Sequence, residues 1–171
     1  MTNMKKIDPA SIPDNPVRLI GQEWMLITAG KPEKFNTMTA SWGTLGFLWG
    51  KPVAFVFVRP ERYTYEFMEA EAGFTLSFLS PQYRKALNIC GSVSGRDTDK
   101  AAQAGLTPFA AEHGGMAFEE ARLILECRKL YADFLEAEHF TDKRPLEKWY
   151  GEKEGGLHKM YVGEILSAWE K

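Results

Sequence analysis

Cysteine and histidine are scarce in this chain: two cysteines and three histidines among 171 residues. Cys90 and Cys127 lie far apart and share no CxxC or Cys/His spacing, which excludes a disulfide framework and a zinc site. Both are expected to be buried packing residues. His113, His139 and His158 occupy no haem-ligand setting, so no metal is expected at all. Charge of one sign is missing too. Lys+Arg number 21 and Asp+Glu 23, which argues against a nucleic-acid binder, whose affinity comes from massed cations on phosphates. No apolar run exceeds Val53–Val58, far short of the roughly 20 residues of a membrane helix. The opening MTNMKKIDPASIPDN has two lysines with no apolar stretch after them, so no secretory leader is expected and a cytoplasmic protein is implied. GxGxxG, the P-loop, HExxH and GxSxG are all absent, which removes the common dinucleotide, phosphate, metalloprotease and hydrolase signatures.

What is present is ordinary globular composition, 44% hydrophobic and 26% charged, which excludes a disordered chain. The length suits a single domain, 1–171, with 1–15 as an extended arm rich in proline. Segments 17–20 and 22–28 read as a strand pair or one bent strand, followed by a turn at Gly30-Lys31-Pro32. Residues 36–43 read as a strand of little apolar bulk. Val53–Val58, apolar on both faces, is the clearest strand, and Arg59-Pro60 stops it. A short helix is predicted over 65–72 with Thr64 as N-cap, then a strand over 74–79. Ser80-Pro81 opens a helix ending near Gly91, and a third helix over 98–104 has Asp97 or Thr98 as its cap. Residues 121–136 fit a strand, 145–150 a helical insertion, and 157–168 a last strand. Six or so strands with three short helices favour an antiparallel barrel over a doubly wound sheet.

Three clusters can carry chemistry. Asn36-Thr-Met-Thr-Ala-Ser-Trp42 alternates small hydroxyl residues and ends on an indole, which suits a flat, polar-edged ligand, or an ordinary half-exposed strand. Arg59-Pro-Glu-Arg-Tyr-Thr64 sits where the strongest strand gives way to a helix. Two guanidiniums, a hydroxyl and helix-end amides make a phosphate site there, unless the arginines merely pair with Glu61 or Glu66. Ser92 to Lys100 reads as a loop whose Arg96 and Lys100 face the same ligand, or as a turn in which they answer Asp97 and Asp99. The loose GxxGxxxG of Gly43, Gly46 and Gly50 is a weak glycine-loop signal, matched at least equally by tight bends beside Trp42 and Trp49.

In order and spacing, NTMTASWGTLG, AFVFVRPERYT, FTLSFLS, SGRDTDK and the closing YVGEIL resemble the flavin reductase-like FMN-binding split-barrel family, particularly its flavoredoxin branch, from about Pro16 to Leu166. The resemblance implies a mainly β fold: a small antiparallel split barrel with Greek-key-like connections, working as a homodimer with FMN near the subunit interface. It implies that Thr39, Ala40, Ser41 and Trp42 line the isoalloxazine edge with Asn36 and Met38 close by. Arg59, Arg62, Tyr63 and Thr64 would surround the phosphate and ribityl chain, and Ser94, Arg96 and Lys100 would complete the pocket. His139, in EAEHF, matches a histidine near the flavin in flavoredoxins. Lys100 and His139 are the residues expected to tune the flavin, Lys100 as a fixed cation favouring the reduced state; no catalytic side chain is implied, since the flavin does the redox chemistry. Two activities fit. One is NAD(P)H-dependent reduction of bound FMN, which passes electrons to free flavin or another acceptor; the other is a flavoredoxin-like carrier charged by a redox protein. The chain departs from the family before its last strand, where Tyr150 to His158 replaces the usual Gly-Asp-His and an enlarged insertion, Thr141 to Gly156, precedes it.

Overall fold

A computed structural model describes residues 3–151 and 155–171. Residues 1 and 2 of the expected arm, and 152–154 of the expected insertion, lie outside the described residues.

Ten strands are described: β1 (Lys5–Ile7), β2 (Met25–Lys31), β3 (Lys34–Ala40), β4 (Gly43–Leu48), β5 (Lys51–Val58), β6 (Gly73–Leu79), β7 (Pro108–Ala110), β8 (Met116–Phe118), β9 (Ala121–Phe134) and β10 (Lys159–Glu170). Five short α-helices accompany them: α1 (Pro16–Arg18), α2 (Thr64–Ala70), α3 (Arg84–Ser92), α4 (Lys100–Gln103) and α5 (Arg144–Trp149). The main sheet is antiparallel throughout in the order β3-β2-β6-β9-β10-β5-β4, with β1 added to the C-terminal part of β10. The two ends of that order, β3 and β4, are consecutive in the chain and separated only by Ser41 and Trp42. A sheet whose opposite edges are two residues apart must curl on itself, yet β3 and β4 do not pair. The result is a split barrel, as the sequence implies.

The period of two sorts the strand residues into two cores. Met25, Ile27 and Ala29 of β2, Phe74, Leu76 and Phe78 of β6, and Leu123, Leu125 and Cys127 of β9 point into the barrel. Their neighbours Leu26 and Ile124 point outward, where they meet Ala86, Leu87 and Cys90 of α3, Ala101 of α4 and Phe118 of β8. β5 is legible as a continuous apolar run, and β6 and β9 by the period of two in their apolar residues. The cysteines are free and buried, one in each core, as expected.

The expected strand at 17–20 is absent. Asn15 and Pro16 are instead an N-cap and first helical residue: Asn15 Oδ1 accepts from the amides of Val17 and Arg18 at 3.0 and 3.2 Å, and a π-turn over Leu19–Glu23 continues the helix. Leu19 and Ile20, read as strand residues, are buried from this helical turn. Thr64 does not cap α2. It is the first helical residue and fully buried, its hydroxyl accepting from Asn36 Nδ2 at 2.8 Å. The cap of α4 is Asp99, which accepts from the amide of Ala102 at 3.0 Å, and neither Asp97 nor Thr98 fills that role. β4 and the β7–β8 hairpin are additions that the sequence reading lacked.

The sheet leaves no slack where β10 shifts register against β9, between Val162 and Gly163. A Cβ on Gly163 would lie 2.7 Å from Phe74 Cζ and 3.0 Å from Cys127 Cβ, both in the barrel core. Gly163→Ala is therefore expected to lower unfolding free energy by about 1–3 kcal/mol through overpacking, measured by urea denaturation.

Candidate functional site

The site forms where the barrel is split. The end of β3, the Ser41-Trp42 link and the end of β5 converge on the loop 59–63, and the C-terminal end of α3 with the 93–99 loop closes from the other side. Local chemistry fixes these pieces. Thr39 donates from Oγ1 to the carbonyl of Leu87 at 2.5 Å, tying β3 to α3. Gly95 sits so close to β3 that a Cβ there would fall 1.9 Å from Asn36 Oδ1, so only glycine lets the loop approach. Asn36 bridges on to Thr64, locking β3 to the start of α2.

Two cavities result, and Arg62 lines both. One of about 240 Å³ is walled by Met38, Thr39, Ala40, Ser41, Trp42, Phe57, Arg59, Arg62, Trp149 and His158. The other, about 230 Å³, is walled by Glu61, Arg62, Tyr63, Gly91 to Ser94 and Lys100. The first sets the apolar Met38, Ala40, Trp42, Phe57 and Trp149 beside the polar Thr39, Ser41, Arg59, Arg62 and His158. The second is cationic.

The electrostatics are those of an uncompensated positive site. Nη2 of Arg62 is buried and has no hydrogen-bond partner. Burial, with the charge of Arg59 second, pulls the Arg62 guanidinium below its ordinary pKa. Lys100 is 4% exposed, and among the described residues its ammonium donates to the carbonyl of Cys90, at 3.1 Å. Burial first, and repulsion from Arg62 second, push its pKa down to about 8. Among the described residues no carboxylate is hydrogen-bonded to Arg62 or Lys100. Glu61 lines the second cavity, but its carboxylate accepts from the amide of Gly156 at 2.6 Å and bonds to neither cation. Buried cations without a counter-ion are costly, and an anion placed between them would remove that cost. A phosphate monoester fits this donor set: a guanidinium with a free buried N–H and an ammonium on the same small cavity.

The sequence-derived residues divide between the cavities. Met38, Thr39, Ala40, Ser41 and Trp42 line the first; Tyr63, Ser94 and Lys100 line the second; Arg62 joins them. Asn36 and Thr64 lie behind them as a buried hydrogen-bonded pair. Arg59 reaches the first cavity, but its Nη2 donates to the carbonyl of Trp149 at 2.8 Å and its guanidinium lies over the Tyr150 ring. Arg96 points outward, pairing with Glu66 at 2.5 Å and lying over Tyr63 at 4.7 Å, so it acts as a clamp on the loop. Lys100 belongs with the anion group, away from Trp42. His139 joins neither cavity: it is 73% exposed on the turn after β9, beside Glu136 and Glu138. The helix end contributes less than expected, because the amides of Tyr65 and Glu66 already bond to the carbonyls of Arg62 and Tyr63.

Trp149, Tyr150 and His158 were not anticipated. Trp149 meets Trp42 edge-on at 5.2 Å, and His158 lies 5.0 Å from the same indole. Tyr150 and His158 share a hydrogen bond of 2.8 Å between the hydroxyl and Nδ1. Burial, aided by Arg59, holds His158 down at about 4, so the ring is neutral at pH 7. The only sequence signal for this group is a Trp-Tyr pair inside the insertion, with nothing to say where the insertion folds.

No curated protein sequence matches the chain significantly. Solved structures do. A flavoredoxin from Methanosarcina acetivorans shares 25% identity over 87% of this chain and 68% of its own, with a TM-score of 0.66. An FMN-binding domain of a flavin reductase-like enzyme from Shewanella baltica superposes with a TM-score of 0.70 at 19% identity, over 98% of this chain and 77% of that one. An NADH:FAD oxidoreductase from Streptomyces globisporus gives 0.64 at 19% identity, over 87% and 75%. The family model described as the flavin reductase like domain matches residues 17–171. With that match running through the barrel, the split and the cationic loop, the chain belongs to the flavin reductase-like domain family.

Proposed function

We propose that this chain is a flavin-dependent oxidoreductase, a single-domain protein that holds FMN across the two cavities and passes reducing equivalents from NAD(P)H through it to free flavin. One observation carries this: the buried, unpartnered Nη2 of Arg62, flanked by a carboxylate-free Lys100 and sited between a cationic cavity and an aromatic-walled one. Family membership and the similarity to FMN-binding structures support the same reading.

The roles of the side chains follow from their placement. Arg62 and Lys100 grip the phosphate, with Ser94 beside them. Tyr63 packs edge-on against Phe67 at 5.0 Å and keeps the Arg62 loop in place. Met38, Ala40 and Trp42 offer an apolar surface for the tricyclic head and keep water from it. Bound FMN supplies the hydride and electron chemistry, so no protein nucleophile is called for. His158 stays neutral beside the head and adds no charge there at pH 7.

A second reading, an electron carrier charged by a redox protein, draws support from Trp149, which narrows access to the head cavity from solvent. Anaerobic mixing of the FMN-loaded protein with NADH and NADPH decides between them: rapid bleaching of the flavin supports the reductase, and absence of bleaching by either nucleotide supports the carrier.

A homodimer belongs to the proposal as well. β4 ends the sheet with an unpaired edge, and Phe47 and Trp49 are 76% and 59% exposed beside it. An apolar edge strand of this kind invites pairing. Phe47→Lys with Trp49→Lys is expected to halve the mass of the wild-type particle in sedimentation equilibrium while circular dichroism stays unchanged.

Two further outcomes test the anion grip. Arg62→Ala is expected to weaken FMN binding by about 10–100-fold, the equivalent of losing a charged hydrogen bond, in a fluorescence titration. The pH dependence follows from Lys100. Its pKa of about 8 before FMN binds must rise when a dianion arrives, so binding takes up a proton above pH 8. Affinity should be flat just below pH 8 and fall by up to about tenfold per unit above it. Lys100→Met should abolish that slope, and a slope that survives the substitution removes Lys100 from the site.

A further inference from the structure

Helix α5 has no buried residue. What holds the segment around it is attached to the site. Arg59 Nη2 donates to the Trp149 carbonyl at 2.8 Å, the Arg59 guanidinium covers the Tyr150 ring at 5.3 Å, and Tyr150 bonds to His158. On the far side of the segment, the amide of Gly156 donates to Glu61. These tethers land on the 59–61 loop or on a residue of the head cavity. The insertion is therefore folded by the same loop that presents Arg62.

The indole of Trp149 is the part of this segment that faces the cavity. It lies edge-on to Trp42 at 5.2 Å and stays 41% exposed, so it forms one wall between the cavity and solvent. The space beside it, about 240 Å³, is below the roughly 300–1,000 Å³ of pockets that hold drug-sized ligands and opens to solvent. The Trp149 indole takes one side of that opening. A planar donor or acceptor that must lie face to face with the flavin head meets the indole as it enters.

We propose that Trp149 is a specificity-determining gate over the flavin head, which excludes planar ring partners while closed and admits them when its edge contact with Trp42 opens. Arg59 is the positioning residue that holds the gate through the Trp149 carbonyl. The inference rests on the flavin-binding reading and extends it: the gate discriminates by the flatness of the partner, so small non-planar solutes are little affected.

The test uses the full chain loaded with FMN as wild type, Trp149→Ala and Trp149→Phe. Quenching of bound-flavin fluorescence is measured with 1-methylnicotinamide, a planar ring, and with acrylamide, a small neutral quencher. Trp149→Ala should raise the 1-methylnicotinamide quenching constant by about fivefold, the scale of one lost aromatic pair, and the acrylamide constant by less than about twofold. Trp149→Phe should remain near wild type in both constants, with each protein measured at saturating FMN so that any change in affinity does not enter the comparison. An FMN-free arm reads the contact itself: the near-ultraviolet circular dichroism from the Trp42–Trp149 pair should vanish in Trp149→Phe. Unchanged quenching in an FMN-loaded Trp149→Ala overturns the gate. An equal rise for both quenchers also overturns it, since that reports general loosening. Failure of the wild-type protein to take up FMN sinks the flavin reading, and the gate with it.

Discussion

Two residues, Ser41 and Trp42, impose the constraint on which the rest of the molecule depends. They join β3 to β4, which are the opposite ends of a seven-strand order. So short a connection forces the sheet to close, but the two strands emerge without pairing and leave a slit. Gly43 makes the turn feasible, since a Cβ there would stand 2.5 Å from the carbonyl oxygen of Phe55. The slit has an indole at its lip because Trp42 is half of the link. Topology, in other words, creates an opening in an otherwise continuous hydrogen-bonded wall, and the opening becomes the place where a flat ligand can enter.

Among the described residues the cations at this opening have no hydrogen-bonded carboxylate. Arg62 keeps a buried N–H without an acceptor, and Lys100 has one backbone carbonyl. Elsewhere the protein pairs its buried charges. Arg122 meets Asp14 at 2.7 Å and Glu23 at 2.6 Å, and the buried Glu126 accepts from the amides of His113 and Gly115. A buried nitrogen without a partner also occurs at Arg84 Nη1, but there the same guanidinium donates to the carbonyl of Gln22 and covers the Trp24 ring; Arg62 and Lys100 differ in lying together on one cavity. Two well-formed cores offset that arrangement, and such local violations of otherwise consistent design gather at functional sites.

How much of this could be read from sequence depended on how local each cause is. β5 is legible because VAFVFV is apolar on both faces, and β6 and β9 because their apolar residues recur with period two, Phe74, Leu76 and Phe78 against Thr75 and Ser77, and Leu123, Leu125 and Cys127. The Arg59–Thr64 unit is legible because strand, proline and paired arginines are adjacent in the chain. β4 was missed because GTLGFL has two glycines and no clean alternation, and its strand state is enforced by pairing with β5. Residues 17–20 were misread because Val, Leu and Ile suggest a strand, while the deciding atom, Asn15 Oδ1, belongs to the preceding turn. Thr64 looked like a cap, but its hydroxyl is spent on Asn36, 28 positions away. His139 was placed near the flavin by resemblance alone, and this chain leaves it on an exposed turn.

The insertion shows the same limit and turns it into mechanism. Lys148, Trp149 and Tyr150 read in isolation are an ordinary amphipathic end to a short helix. Their meaning comes from Arg59, ninety positions earlier, which exchanges a role on the anion for a grip on the Trp149 backbone. In the proposed reading that leaves Arg62 and Lys100 to hold the phosphate and gives the loop 59–63 two jobs: Arg62 would face the tail of the ligand while Arg59 holds the Trp149 backbone beside its head. Because Arg59 and Arg62 stand on one short loop, the proposed hold on the anion and the hold on the Trp149 backbone both originate in residues 59–63.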